Sequence, residues 1–313
     1  MRQYIIRRLG ISLITIWGIV TFLFLIVRLL PGDPAYVILG DRATPEAVNA
    51  LRSALGLDQP LPVQYWKWLQ DLVQLDLGRS LYSKLPIAPE LLRRLGRTLE
   101  LIVVSMTVSC CIGILLGIIA ACGRKTIDFV VSLLSIAGLS SPSIVIGPIL
   151  AFVLGVRLQL FPTSGYVSFM EDFWRHLGLL IMPVLSISFL TIGTITRMTR
   201  SSMLDVLSRD YVLTALAKGL PYRTVLLKHV LRNCLIPIVT LVGTQMGSML
   251  GGTVITESLF NWPGLSTFLV DAAYHRDYPV IQSVILATAT LFVFLNLTVD
   301  LVVAWLDPRV QYD

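Results

Sequence analysis

All-α, polytopic and membrane-embedded, with six transmembrane helices and a small helical domain outside the bilayer: that is the architecture this sequence predicts, and three observations predict it. Of 313 residues, 55% are hydrophobic and only 14% charged, against roughly 25% charged in a soluble domain. Six intervals free of Asp, Glu, Lys, Arg and His, at 9–27, 101–123, 129–156, 177–196, 233–256 and 278–299, reach the length of about 20 residues that crosses a bilayer. Basic residues are also unevenly shared between the connecting loops. Arg2, Arg7, Arg8, Arg124, Lys125, seven Lys or Arg within 197–237 and Arg309 fall on one side, and Arg28, Arg157, Arg175 and Arg276 on the other. The richer side faces the cytoplasm, which places both termini and the central stretch there.

The net charge of +6 then reports orientation and anionic lipid, not nucleic acid. Cys110, Cys111, Cys122 and Cys234 lie in or beside apolar runs, so they read as packing residues and not as a disulfide framework. The first apolar run is too long for a signal-peptide core, and no small-residue cleavage site follows it.

Three segments follow: 1–30 with the first span, 31–98 as an external helical cap, and 99–313 as a core with the other five spans. In the cap, Thr44-Pro45-Glu46 opens a helix with Val48, Leu51 and Leu55 on one face and Gly56 as its stop. A second amphipathic run carries Val63, Trp66, Leu69 and Val73 and ends before Gly78. Pro89 opens a helix leading into the second span. A spacer and a docking surface both fit this cap.

The third span contains Ser140-Ser141-Pro142-Ser143. Proline removes a backbone donor, and broken helices persist at membrane depth where protein or a water-filled cavity satisfies the freed groups. Ser140, Ser141, Pro142 and Ser143, with Gln245 of the fifth span, are therefore candidates to line a passage; a packing kink is the alternative. Gly243, Gly247 and Gly251 form a strip of small residues on the fifth span, as Gly113 and Gly117 do on the second. Either a partner subunit or a neighbouring helix of the same bundle would use such strips. Residues 257–270 are too short to cross again. They are expected to form an interfacial or re-entrant helix with Phe260 and Trp262 at headgroup depth. His176, His229 and His275 lie on three different boundaries and are read as interface residues, with no metal site. Asp300 is placed near headgroup water.

The cytoplasmic stretch 197–232 reads as two short helices meeting at Gly219-Leu220-Pro221, since glycine favours a helix end and proline a first turn. Metalloprotease, hydrolase-elbow and phosphate-loop motifs are absent, and no span carries a charge near its middle. The chain therefore has neither its own ATPase site nor a visible proton relay. If it moves solute uphill, another protein supplies the work through this basic handle. An intramembrane enzyme would need clustered catalytic side chains. A non-transporting scaffold would account for the handle but not for the cap or the broken span.

The stretch Asp210-Tyr211-Val212-Leu213-Thr214-Ala215-Leu216-Ala217-Lys218-Gly219 resembles the coupling-helix motif of bacterial ABC importer permeases, and most of all the branch that takes up dipeptides, oligopeptides, glutathione and nickel. Leu29-Leu30-Pro31-Gly32-Asp33-Pro34, Leu55-Gly56-Leu57-Asp58-Gln59-Pro60, Asp76-Leu77-Gly78-Arg79-Ser80, the stretch from Glu257 to Gly264, Arg276-Asp277-Tyr278-Pro279-Val280-Ile281-Gln282 and Asp307-Pro308-Arg309 resemble that branch in the same order. The likeness spans essentially the whole chain. Two departures stand out: Leu213 replaces the acidic residue that opens the general motif, and Ile144 replaces a frequent aromatic. The resemblance implies a type I importer permease fold in the bacterial inner membrane. It implies that Thr214, Ala215 and Gly219, flanked by Asp210, Tyr211, Lys218 and Pro221, dock into an ATPase. It also implies the partners: a second similar permease, two ATPase subunits that hold ATP and Mg, an external solute-binding protein and membrane lipid. No cofactor is expected on this chain. The implied cargo is peptide, with nickel or a metal chelate as the alternative.

Overall fold

The computed structural model describes residues 2–29, 36, 39, 44–54, 56 and 58–306. Residues 30–35 and 307–309 of the family-like stretches, with Leu55 and Leu57, lie outside the described residues. The described chain is helical: α1 (Arg2–Leu29), α2 (Pro45–Ala54), α3 (Leu61–Val73), α4 (Ile87–Cys122), α5 (Lys125–Leu139), α6 (Ser143–Arg157), α7 (Phe173–Leu207), α8 (Asp210–Ala217), α9 (Tyr222–Leu259), α10 (Leu265–Tyr274) and α11 (Tyr278–Leu306). Among the described residues, α1, α4, α7, α9 and α11 are each long and apolar enough to cross a membrane. The pair α5 and α6 makes a sixth candidate, bent by 102°. The bend sits at the expected place. Ser140 caps α5, and Pro142, with φ −61° and ψ 147°, opens α6; its ring drives the preceding residue out of helical conformation.

The chain divides into two compact units. The first comprises Met1–Leu9, Thr98–Pro263 and Phe294–Asp313. Here glycines set the helix spacing. A Cβ on Gly117 would meet Thr199 Cβ at 2.5 Å, and one on Gly113 would meet Ile195 Cβ at 2.8 Å, so the strip of the second span is used against α7. A Cβ on Gly193 would meet the Ser135 carbonyl at 2.6 Å, which brings α5 against α7. Asp128 of α5 receives both Nε and Nη2 of Arg200 of α7, the latter at 2.7 Å. Arg8 pairs with Asp300 at 2.7 Å, so Asp300 has a protein partner besides the water expected for it.

The end of α9 corrects the headgroup-depth reading. Asn261 takes φ +51°, and Trp262 N–H donates to the Glu257 carbonyl at 2.8 Å, closing the helix in a Schellman turn. That turn folds the chain back onto protein. Phe260 is 2% and Trp262 0% exposed, and Trp262 packs with Leu101, Leu180, Val184 and Tyr166. Glu257, fully buried, accepts from Thr98 Oγ1 at 2.8 Å. His176 is buried too, and is no interface residue. Its Nδ1 donates to the Val167 carbonyl at 2.7 Å and its Nε2 lies 2.8 Å from Glu100 Oε1.

The second unit comprises Gly10–Arg97 and Gly264–Val293. Ile87, Leu91, Leu265, Ala272, Val280 and Val284 form its buried core. Asp277 accepts from Ser80 Oγ at 2.5 Å, Leu81 N–H at 3.1 Å and Tyr82 N–H at 3.3 Å. His275 is exposed and lies against the Tyr82 ring. The run expected to end at Val270 continues as α10 to Tyr274.

Candidate functional site

The handle between α7 and α9 is built outward from one buried side chain. The Ser208-Arg209 turn ends α7, and α8 starts at Asp210, whose carboxylate suits the positive end of a helix. Val212 N–H donates to the Arg209 carbonyl at 2.9 Å. The Val212 side chain is fully buried with Met203 of α7 and with Val225, Val230, Cys234 and Ile238 of α9, and Ala215 packs at the margin of this cluster. Tyr211 Oη accepts from Asn233 Nδ2 at 3.0 Å, a second tie to α9.

The corner that ends α8 is a Schellman turn as well. Leu220 N–H donates to the Ala215 carbonyl at 3.3 Å and Gly219 N–H to the Leu216 carbonyl at 2.9 Å, with Gly219 at φ +82°. Pro221, at φ −57°, then opens α9, and Thr224 and Val225 N–H both donate to its carbonyl. A π-helical stretch, Val225–Val230, follows within α9.

The side chains of α8 and its corner that stay out of the Val212 cluster are open. Tyr211, Leu213, Leu216, Leu220 and Tyr222 are between 37% and 57% exposed, among exposed Arg209, Asp210, Lys218 and Arg223. This crest of apolar side chains grouped in the open within a charged rim is the kind of surface that a protein or a membrane can contact. It presents no nucleophile with an adjacent base; it can be gripped and moved. Thr214 is exposed, with its hydroxyl donating to the Asp210 carbonyl at 2.9 Å. Lys218, Gly219 and Pro221 are exposed, whereas Ala215 is half-buried on the foot. Leu213, Leu216, Leu220 and Tyr222 were missed as crest residues. The signal was the three-residue spacing of Leu213 and Leu216, one helical turn.

Ser140 and Pro142 are exposed, and Ser141 and Ser143 half-buried. Ser141 Oγ donates to the Ala137 carbonyl at 2.7 Å, and the Ser143 carbonyl accepts from Ser186 Oγ at 3.3 Å. Gln245 is half-buried on α9, and no hydrogen bond among the described residues joins it to 140–143. The glycine strip of α9 divides. A Cβ on Gly243 would collide with Val299 of α11, Gly247 is buried, and Gly251 is exposed with nothing within 4 Å of an added Cβ.

Residues 113–312 match the family described as binding-protein-dependent transport system inner membrane component, and residues 1–102 match its N-terminal membrane-component family. The glutathione transport system permease protein GsiC of Escherichia coli K12 is 41% identical over 313 residues, all of both chains. That of Salmonella choleraesuis is 40% identical over the same length. Among solved structures, the inward-facing MetNI methionine ABC transporter is similar in fold, with a TM-score of 0.57 at 16% identity, covering 69% of this chain and 96% of that one.

Proposed function

The chain belongs to the family of binding-protein-dependent transport system inner membrane components and is a permease subunit of an ABC importer; we propose that separate ATPase subunits drive it through α8, and that its solute is a small peptide of the glutathione kind. As a permease of this family it is a multi-pass inner-membrane protein without ATPase activity, and it works with ATPase and binding-protein partners. We place α8 and both termini in the cytoplasm, ATP and Mg on two partner ATPases, and a second, similar permease beside this one.

The observation that carries the coupling role is the contrast between foot and crest. Val212 is packed at once against α7 and α9, so a displacement applied to the crest moves two spans together. The Schellman turn at Gly219 makes the corner a rigid part of the lever and not a slack loop. Asp128 and Arg200 join α7 to α5, and α5 leads into the bent segment at 140–142. Alternate opening to the two sides of the membrane follows from such linked helices moved by partners that close and part.

The peptide cargo is supported by the full-length likeness to permeases named for glutathione transport. Purified chain, second permease, ATPases and binding protein, reconstituted in proteoliposomes, test both parts. ATP-dependent uptake of radiolabelled glutathione or dipeptide is expected. Uptake of nickel with no uptake of peptide overturns the cargo, and ATPases that never associate with the chain overturn the coupling.

A further inference from the structure

The helix α3 is pinned to α1 within the second unit. The Phe24 ring of α1 lies 5.2 Å from that of Tyr65 and 5.6 Å from that of Trp68. Thr21 Oγ1 gives its proton to the Trp17 carbonyl at 2.8 Å, so the Tyr65 hydroxyl donates to Thr21 at 2.6 Å. One pair three residues apart on α3 thus grips a pair three residues apart on α1. These α1 positions are inside the candidate membrane span Ile6–Ile26. At a rise of about 1.5 Å per residue they lie roughly 6 to 10 Å below the level of Arg28, the first charge at that end of the helix.

A helix held at that depth has three sides to account for. At about 100° per residue, Tyr65, Trp68 and Leu72 form the side turned to α1. Gln64, Lys67, Gln70 and Asp71 form a polar side, broken by Val63. Between them, Trp66, Leu69 and Val73 extend the apolar arc well past the part that α1 covers. Trp66 is 64% and Val73 85% exposed, and Leu75, just beyond the helix end, is 80% exposed. On α1 at the same level, Phe22, Leu25 and Ile26 are exposed and apolar as well. At that depth the open arc of α3 meets the medium that they meet.

We propose that α3 is an interfacial membrane helix, with Trp66 and Val73 inserted at the headgroup–acyl boundary of the leaflet at the C-terminal end of α1, and Lys67 and Gln70 toward water. The depth fixed by Thr21 and Phe24 selects lipid over a soluble protein as the occupant. A soluble protein approaches from beyond the headgroups, whereas an interfacial helix buries its apolar face about 5–10 Å into that boundary, where tryptophan is enriched. The contact splints the outer end of α1 to the bilayer plane. It stands on membrane residence alone, and neither the cargo nor the coupling proposal bears on it.

The test uses the full chain in nanodiscs of phosphatidylethanolamine and phosphatidylglycerol, with acyl chains brominated either near the carbonyl or near the methyl end. The emission of Trp66 is the difference between wild type and Trp66→Phe. It is expected to be blue-shifted, to lose more intensity to the shallow bromines than to the deep ones, and to resist aqueous iodide. A tryptophan moved to the polar side, Lys67→Trp in the Trp66→Phe background, is expected to reverse the order, losing intensity to iodide and little to bromine. That second variant separates insertion of one face from burial of the whole helix. Trp66 emission that iodide quenches and bromine does not overturns the proposal. So does emission blind to both quenchers once the second permease or the binding protein is added, since the occupant would then be protein.

Discussion

Gly219 is the residue on which the coupling proposal turns most sharply. Its φ of +82° lies in the left-handed region, and an added Cβ there meets nothing within 4 Å. The cost of a substitution is therefore backbone strain alone, about 1–2 kcal/mol for an L side chain. Gly219→Val is expected to insert and to assemble. Its uptake is expected to drop several-fold, with ATP hydrolysis losing its response to the binding protein. Uptake at the wild-type rate would reject the lever. Asp277 gives a contrasting case, a carboxylate held by donors from its own unit. It is buried and accepts from Ser80 and from two backbone N–H groups. Asp277→Ala leaves those donors unsatisfied, at about 1–3 kcal/mol, and a lowered thermal midpoint in detergent is the expected reading. An unchanged midpoint would mean that water replaces the carboxylate. Neither the Ser80–Asp277 pair nor the His176–Glu100 pair was legible in the sequence. Each joins residues far apart in the chain, and a histidine beside an apolar run looks the same whether lipid headgroups or a carboxylate meet it.

Small residues decide how the helices meet, and one glycine from each of the two strips gives opposite expectations. Gly117 has Thr199 and the Thr196 carbonyl within 2.9 Å of an added Cβ, so Gly117→Leu overpacks the α4–α7 contact by about 1–3 kcal/mol and should lower the melting point of the chain by itself. Gly251 faces open space. Gly251→Leu should leave that melting point alone and reduce the amount of second permease that co-purifies; an undiminished yield would remove Gly251 from the partner interface. The helices themselves were legible because apolar intervals of spanning length have few other solutions. The break at 140–142 was legible because proline excludes helix before it. The helix stops were less so. Stops are sought at glycine, yet Leu75, Asn261 and Arg276 all adopt positive φ after a helix end. The π-helical stretches Ala151–Arg157 and Val225–Val230 carry no compositional mark either. The misplacement of Phe260 and Trp262 followed from one such hidden stop, because the aromatic pattern of a lipid interface and of a buried turn is the same.

Orientation is a property of the entire chain, argued from the unequal sharing of Lys and Arg between the two sets of loops. The structure adds a position at which that argument can be tested together with the coupling proposal. Leu213 is exposed on the crest and away from the foot formed by Val212, so Leu213→Cys changes no buried packing. In intact cells, a membrane-impermeant maleimide should not label Cys-substituted 213 above the background of the four native cysteines. In inverted membrane vesicles it should label readily, and reconstituting the ATPase partners should suppress that labelling. The two parts fail separately. Labelling in intact cells would reverse the topology and take the charge argument with it. Labelling in inverted vesicles that the ATPases leave undiminished would keep the topology and show that the apolar crest is not the surface they cover, since a side chain seated in a protein cleft loses its access to reagent whatever the nucleotide bound.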